Sequence, residues 1–202
     1  MQIVPFGGKL MAKRKSEWFG WVKALLIAFA LTFVIRTFFF APIIVDGPSM
    51  LPTLHDRDQM IVNKFKYRIS EPDRFDIVVF HASVQKDFIK RIIGLPGEHV
   101  QVKDNVLYIN GEEVSEPFLR EQKEQIKPYQ TLTNDFKLED LPGGYEIIPE
   151  NHVLVLGDNR GNSTDSRMFG VVSMDQIIGK TSLIYWPFDR KQILHADDPT
   201  KK

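Results

Sequence analysis

The chain contains no cysteine. That excludes a disulfide, a thiolate nucleophile and a cysteine-ligated zinc. It leaves either side of a membrane open as the compartment. Histidine is scarce, with five residues at 55, 81, 99, 152 and 195. They form no HExxH motif or other close pair, so no metal and no other cofactor is expected. Charge of one sign is lacking too: 26 Lys and Arg balance 26 Asp and Glu. That balance argues against a nucleic-acid partner, which favours a basic patch or domain. Internal repeats and low-complexity tracts are absent, and no long amphipathic helix is legible beyond the N-terminal region. A length of 202 residues suits one domain with a small insertion.

What dominates the N-terminus is a greasy run, WFGWVKALLIAFALTFVIRTFFFAP, residues 18–42. Ala24 to Ile35 carries no charge, and Trp18 to Ile35 reaches roughly the ~18–20 residues a membrane crossing needs. Lys23 and Arg36 can snorkel toward opposite surfaces, and Trp18 and Trp21 suit an interfacial belt. Lys13, Arg14 and Lys15 precede the run. The positive-inside rule then keeps residues 1–17 in the cytoplasm, makes 18–40 a single transmembrane anchor in a lipid bilayer, and exports the remainder. A cleaved signal peptide is the competing reading, but Thr37 to Ala41 reads TFFFA, too bulky for a small-residue cleavage site.

Beyond the anchor, short runs rich in Val, Ile and Phe read as strands: 60–63, 76–81, 88–94, 99–102, 106–109, 152–157 and 179–186. Asp104-Asn105 and Asn110-Gly111 fall between or after them as hairpin turns do. Pro72, Pro96-Gly97 and Pro142-Gly143-Gly144 break the chain. Residues 112–150 are more polar and read as an inserted flap or subdomain, and 190–202 as a flexible tail. The expectation is a mostly β domain over 41–189, on the outer face of a membrane.

Three stretches of that domain carry chemistry. In VDGPSMLPTL, Ser49 follows Gly47-Pro48; alone it is equally an ordinary turn residue. In FIKRIIGLPGE, strand alternation puts Phe88, Lys90 and Ile92 on one face and Ile89, Arg91 and Ile93 on the other. Each face therefore holds one cation among apolar groups. A buried arginine stays charged and needs a partner. A buried lysine can lose its proton, which makes Lys90 a candidate base; an edge strand with a snorkelling lysine is the alternative. The third stretch, GDNRGNSTDSR, spans 157–167. It fails as a calcium loop, since Arg160 and Phe169 stand where oxygen ligands belong. Its alternating Asp158, Arg160, Asp165 and Arg167 suit a fixed hydrogen-bonded scaffold.

In this order, behind an N-terminal anchor, S-M-x-P-T-L, K-R-x-x-G-x-P-G-E and G-D-N-R-x-N-S-x-D-S-R resemble bacterial type I signal peptidase, and its Gram-positive members most. The resemblance covers the anchor and most of residues 40–189, and is loose over 112–150. It implies a mostly β domain of antiparallel sheets with an inserted subdomain. It also implies a serine endopeptidase that removes signal peptides from exported preproteins after an Ala-X-Ala-like site. On this resemblance Ser49 is the nucleophile and Lys90 the general base. Ser163 orients the lysine, Asp158 pairs with Arg91, and Asp165 pairs with Arg167. Ile43, Val45, Met50, Leu54, Phe88 and Ile89 match positions that line the substrate pockets. Many members carry an oxyanion-hole serine where Gly47 stands. Here the Ser49 N–H remains, and a backbone amide near Gly47 is expected to replace the missing hydroxyl. Self-cleaving repressors share such a dyad, but neither the anchor nor the lack of a DNA-binding segment fits them.

Overall fold

The computed structural model describes residues 10–83, 85–127 and 130–194. The chain divides into two compact units, Met1–Phe40 and Ala41–Lys202. The first is built on one helix, α1 (Leu10–Phe38), which starts ahead of the greasy run. Its stretch Trp18–Arg36 is long and apolar enough to cross a membrane. Apolar side chains such as Trp21, Leu25 and Phe29 stand exposed around it, so the stretch has no one-sided apolar face. The one hydroxyl described within the apolar stretch, that of Thr32, donates to the Ala28 carbonyl at 2.8 Å.

The second unit is mostly antiparallel sheet. Its strands are β1 (Phe40–Ile44), β2 (Gln59–Asn63), β3 (Ile77–Ser83), β4 (Lys86–Gly94), β5 (Val100–Lys103), β6 (Val106–Ile109), β7 (Glu112–Val114), β8 (Phe136–Lys137), β9 (His152–Leu156), β10 (Val172–Ser173), β11 (Ile177–Trp186) and β12 (Gln192–Ile193). Helices here are short: α2 (Lys66–Ile69), α3 (Arg120–Gln125) and α4 (Ser166–Phe169). The large sheet runs β1-β2-β11-β3-β4-β9-β10, with β12 beside β11, and the small one runs β7-β6-β5-β8. Strand β11 lies antiparallel to β2, β3 and β12. Strand β4 lies antiparallel to β3 and β9.

The two hairpin turns of the small sheet follow from their residues. Asp104 and Asn105 adopt φ of 51° and 65°, and Asn110 and Gly111 adopt 52° and 84°. Two consecutive positive φ values make the turn whose twist matches the flanking strands. The small sheet opens at Val100, upstream of the polar stretch at 112. It interrupts the β4–β9 pairing, so the whole of β5 to β8 is the insertion. Periodicity alone could not draw that boundary, because β5 and β6 look like any half-buried strand. At the other end, β12 falls inside the stretch read as a tail; it pairs with β11, and Leu194 N–H donates to Ser182 O at 2.7 Å. Residues 195–202 and 1–9 lie outside the described residues.

Three apolar clusters hold the unit together. One fuses the small sheet to the large one through Val102, Leu107, Phe136, Ile93 and Leu154. Another packs Val45, Met50, Leu54, Met60, Ile77 and Ile184 beneath the Gly-Pro-Ser turn. The third gathers Val78, Phe80, Ile92, Val155 and Val172. Strand β4 sends Ile92 and Ile93 into different clusters, so both its faces are buried. That is why its two cations, Lys90 and Arg91, are each only 3 % exposed.

Candidate active site

Ser49 sits in a turn just after β1. Gly47 enters that turn with φ of 94°, a conformation that costs a side-chain-bearing residue about 1 kcal/mol or more. Its N–H donates to Asp56 Oδ1 at 3.0 Å. Leu51 N–H returns to Pro48 O at 3.1 Å and Leu54 N–H to Met50 O at 2.9 Å, which winds 48–54 into a tight knot. Met50 and Leu54 then anchor the knot in the core.

Lys90 reaches this turn from the middle of β4. Its Nζ lies 2.8 Å from Ser49 Oγ and donates to Ile89 O at 2.9 Å. The Phe88 ring covers it, with the centroid 4.9 Å from Nζ. Burial strips the ammonium of water and lowers its pKa from the usual 10.5 to about 8; Asp165 and Asp158 pull it partly back up, and Lys86 pushes it down again. No carboxylate is within ion-pair distance of Lys90 among the described residues. The neighbouring cation is treated differently. Arg91 makes a two-pronged bond to Asp158, 2.9 Å to Oδ1 and 2.6 Å to Oδ2. It also donates to Phe75 O at 2.9 Å and stacks on Phe118, 4.0 Å from the ring centre. One cation is thus locked as a charge, and the other is free to become an amine.

The 157–167 loop closes around the pair. Asp165 takes Arg167 Nε at 2.8 Å, a second Arg167 nitrogen at 2.7 Å and Gly157 N–H at 3.0 Å. Burial alone would raise the Asp165 pKa, but these bonds outweigh it and hold the carboxyl below its usual range. Gly157 is pinned by lack of room: a β-carbon there would meet Ser163 Oγ at 2.1 Å and Ser49 O at 2.5 Å.

Two expectations are corrected here. Ser163 makes no hydrogen bond to Lys90. Its hydroxyl is buried against Gly157, near enough to Asp165 to help hold that carboxyl down, yet without hydrogen-bond geometry to any group. The lysine takes the Ile89 carbonyl instead. Leu54 does not line the groove over Ser49 and Lys90; it is fully buried under the turn, because the 48–54 knot turns its side chain inward. The Gly47 amide, already given to Asp56, is not a spare donor. The Ser49 N–H has no acceptor among the described residues.

A groove of about 580 Å3 passes over Ser49 and Lys90. Ile43, Val45, Met50, Phe88 and Ile89 line it, and so does Val79. Val79 was missed because it reads as one more apolar residue of a core strand. A larger hollow, about 1230 Å3, lies apart from this pair beside Tyr67, Leu95, Met174 and Ile178. Glu116 was missed as well. It is buried at the end of β7, takes Arg160 in an ion pair and Lys123 at 3.2 Å, and ties the small sheet to the loop. No motif marks a lone glutamate in a polar stretch.

Residues 18–186 match a protein-family model described as signal peptidase, peptidase S26. Signal peptidase I of Bacillus caldolyticus is 43 % identical over 180 residues, covering 89 % of this chain and 95 % of that protein. Signal peptidase IB of Staphylococcus aureus (strain MRSA252) is 39 % identical over 190 residues, covering 93 % and 99 %. A crystal structure of a signal peptidase I from Enterococcus faecalis V583 superposes with a TM-score of 0.52 at 43 % identity, covering 55 % of this chain and 97 % of that one.

Proposed function

Since the chain belongs to the signal peptidase family, peptidase S26, whose members cleave signal peptides from preproteins, we propose that it does so with a Ser49–Lys90 dyad. The observation that carries this is the 2.8 Å approach of Lys90 Nζ to Ser49 Oγ, by a lysine whose pKa burial has brought down to about 8. A serine hydroxyl is a weak nucleophile until a neighbouring base takes its proton. Neutral Lys90 takes it as Oγ adds to the carbonyl carbon of the scissile peptide. The oxyanion forms beside the Ser49 N–H. The tetrahedral species collapses, Lys90 returns the proton to the departing amine, and the mature protein leaves. Water, deprotonated by Lys90, then hydrolyses the ester, freeing the signal peptide and Ser49.

Asp158 and Asp165 fix the loop and hold the arginines, so that neither carboxylate neutralises Lys90 directly. The apolar floor of Ile43, Val45, Met50, Val79, Phe88 and Ile89 favours small apolar side chains, which suits alanine at the first and third positions before the cut. Helix α1 is the anchor, with Lys13, Arg14 and Lys15 on the cytoplasmic side and the sheet unit outside the cell membrane. Only the eight residues 41–48 separate Phe40 from Ser49, which suits cleavage near the bilayer surface, where a preprotein's signal segment ends.

The test uses the purified full chain in detergent with a preprotein, followed by sequencing of the new N-terminus. Wild type is expected to release one mature N-terminus after a small-x-small site, and Ser49→Ala to release none. Processing by Ser49→Ala at the wild-type rate would assign the nucleophile elsewhere.

A further inference from the structure

We propose that Asn159 is a positioning residue that aims the oxyanion donor. The inference rests on Ser49 being the nucleophile. Asn159 makes two bonds to the nucleophile turn from across the site. Its backbone N–H donates to Ser49 O at 3.0 Å, and its side-chain Nδ2 donates to Pro48 O at 3.1 Å. These carbonyls belong to the peptide units on either side of the Ser49 α-carbon.

The side-chain bond has a specific consequence. Pro48 O and Ser49 N–H are the two ends of one peptide unit. That unit is trans; among the described residues the cis bonds are Leu51-Pro52 and Trp186-Pro187. In a trans peptide the C=O and N–H are rigidly coplanar and point in opposite directions. Gripping the carbonyl therefore sets the direction of the N–H without touching it. With the Gly47 N–H committed to Asp56 and Pro48 bearing no N–H at all, the Ser49 N–H, which has no acceptor among the described residues, is the donor beside Oγ available to the developing oxyanion. Its aim depends on Asn159 and the Leu51 N–H, which both hold the Pro48 carbonyl, and on the Asp56–Gly47 bond at the other end. Asn159 itself cannot drift, because Asp158 before it is held by Arg91 and Arg160 after it by Glu116. The loop thus supplies a catalytic geometry as well as counter-charges.

The test compares wild type, Asn159→Ala and Asn159→Asp by steady-state cleavage of one peptide across pH, with Ser49→Ala alongside. Alanine keeps the backbone bond to Ser49 O and deletes only the side-chain grip on Pro48 O, leaving the Leu51 N–H bond in place. Aspartate keeps the shape and sets an oxygen against the Pro48 carbonyl. Losing an oxyanion donor costs ~10²–10³ in kcat, and misaiming one should cost about 10–100-fold. The expected result is that loss in kcat for both variants, with KM within about twofold. For Asn159→Ala the rate should also rise with pH through the same midpoint as wild type, since Lys90 keeps its surroundings. A merely structural residue would instead lower stability, move KM, or shift the midpoint. Wild-type kcat in a folded Asn159→Ala, or a loss that follows KM or the midpoint, would overturn the assignment. Should alanine fail to fold, the isosteric Asn159→Asp decides on the same kcat and KM criteria. Inactive Ser49→Ala with normal kcat in the Asn159 variants rejects the clamp alone; active Ser49→Ala rejects the dyad and the clamp together.

Discussion

Lys90 lives with a conflict between folding and reactivity. Its pKa falls from 10.5 in the open chain to about 8 in the fold. Between those values the unfolded chain binds more protons than the native one, so stability rises with pH across that window. Below about 8 the fold carries the full penalty, on the order of 3 kcal/mol. Lys90→Met is accordingly expected to raise thermal stability at pH 7, and its advantage to shrink as pH climbs from 8 toward 10.5. Unfolding followed by circular dichroism at pH 7 and pH 10 measures this; an advantage independent of pH would contradict it. Activity follows the same proton. The rate of wild type is expected to rise through a midpoint near 8, and Lys90→Arg, which cannot deprotonate, to lose at least ~10²–10⁴-fold. Lys86 lies on the same strand, over the same Phe88 ring, and helps hold the pKa down. Lys86→Ala should therefore move the midpoint to higher pH, readable in the pH–rate profile.

At the scale of elements, the loop 157–167 and the strands it touches depend on close fits and on one ion pair reaching in from the small sheet. Gly157→Ala would push a methyl against the Ser49 carbonyl and the Ser163 hydroxyl; the expected outcome is a folded domain with kcat reduced at least tenfold. Glu116→Ala strands Arg160 in the interior, and breaking a buried pair typically costs ~3–5 kcal/mol, visible as a lowered unfolding midpoint. What could be read in advance follows the same divide. The strands of the large sheet are apolar runs bounded by turn residues, and both hairpin turns of the small sheet announce themselves by Asp-Asn and Asn-Gly. Short β7, β8, β10 and β12 lack enough residues to show a period. Ser49 and Lys90 stood out through motif and strand alternation. Val79, Glu116 and the Asn159 clamp did not, because each matters only through neighbours brought from distant sequence.

For the whole molecule, the division at Phe40 and Ala41 and the three apolar clusters after it suggest that the sheet unit is self-sufficient. Removing residues 1–40 is expected to leave a folded protein that cleaves short peptides at close to the full-chain rate but processes membrane-embedded preproteins more slowly. Parallel assays on a peptide and on a preprotein in vesicles separate the two effects. Equal slowing on both substrates would mean that the first forty residues also support the fold.

The strand order has a temporal meaning. On the topology proposed above, residues 1–17 stay behind and the chain beyond the anchor crosses in sequence order, so Ser49 and Lys90 would reach the far side before residues 157–186. Yet β11, near the end, is the strand that stands between β2 and β3, and the loop before it grips the serine turn. Until that last stretch has crossed, β2 and β3 have no strand between them and the dyad has no frame. If Ser49 and Lys90 are the dyad, activity is expected to appear only once that passage is complete.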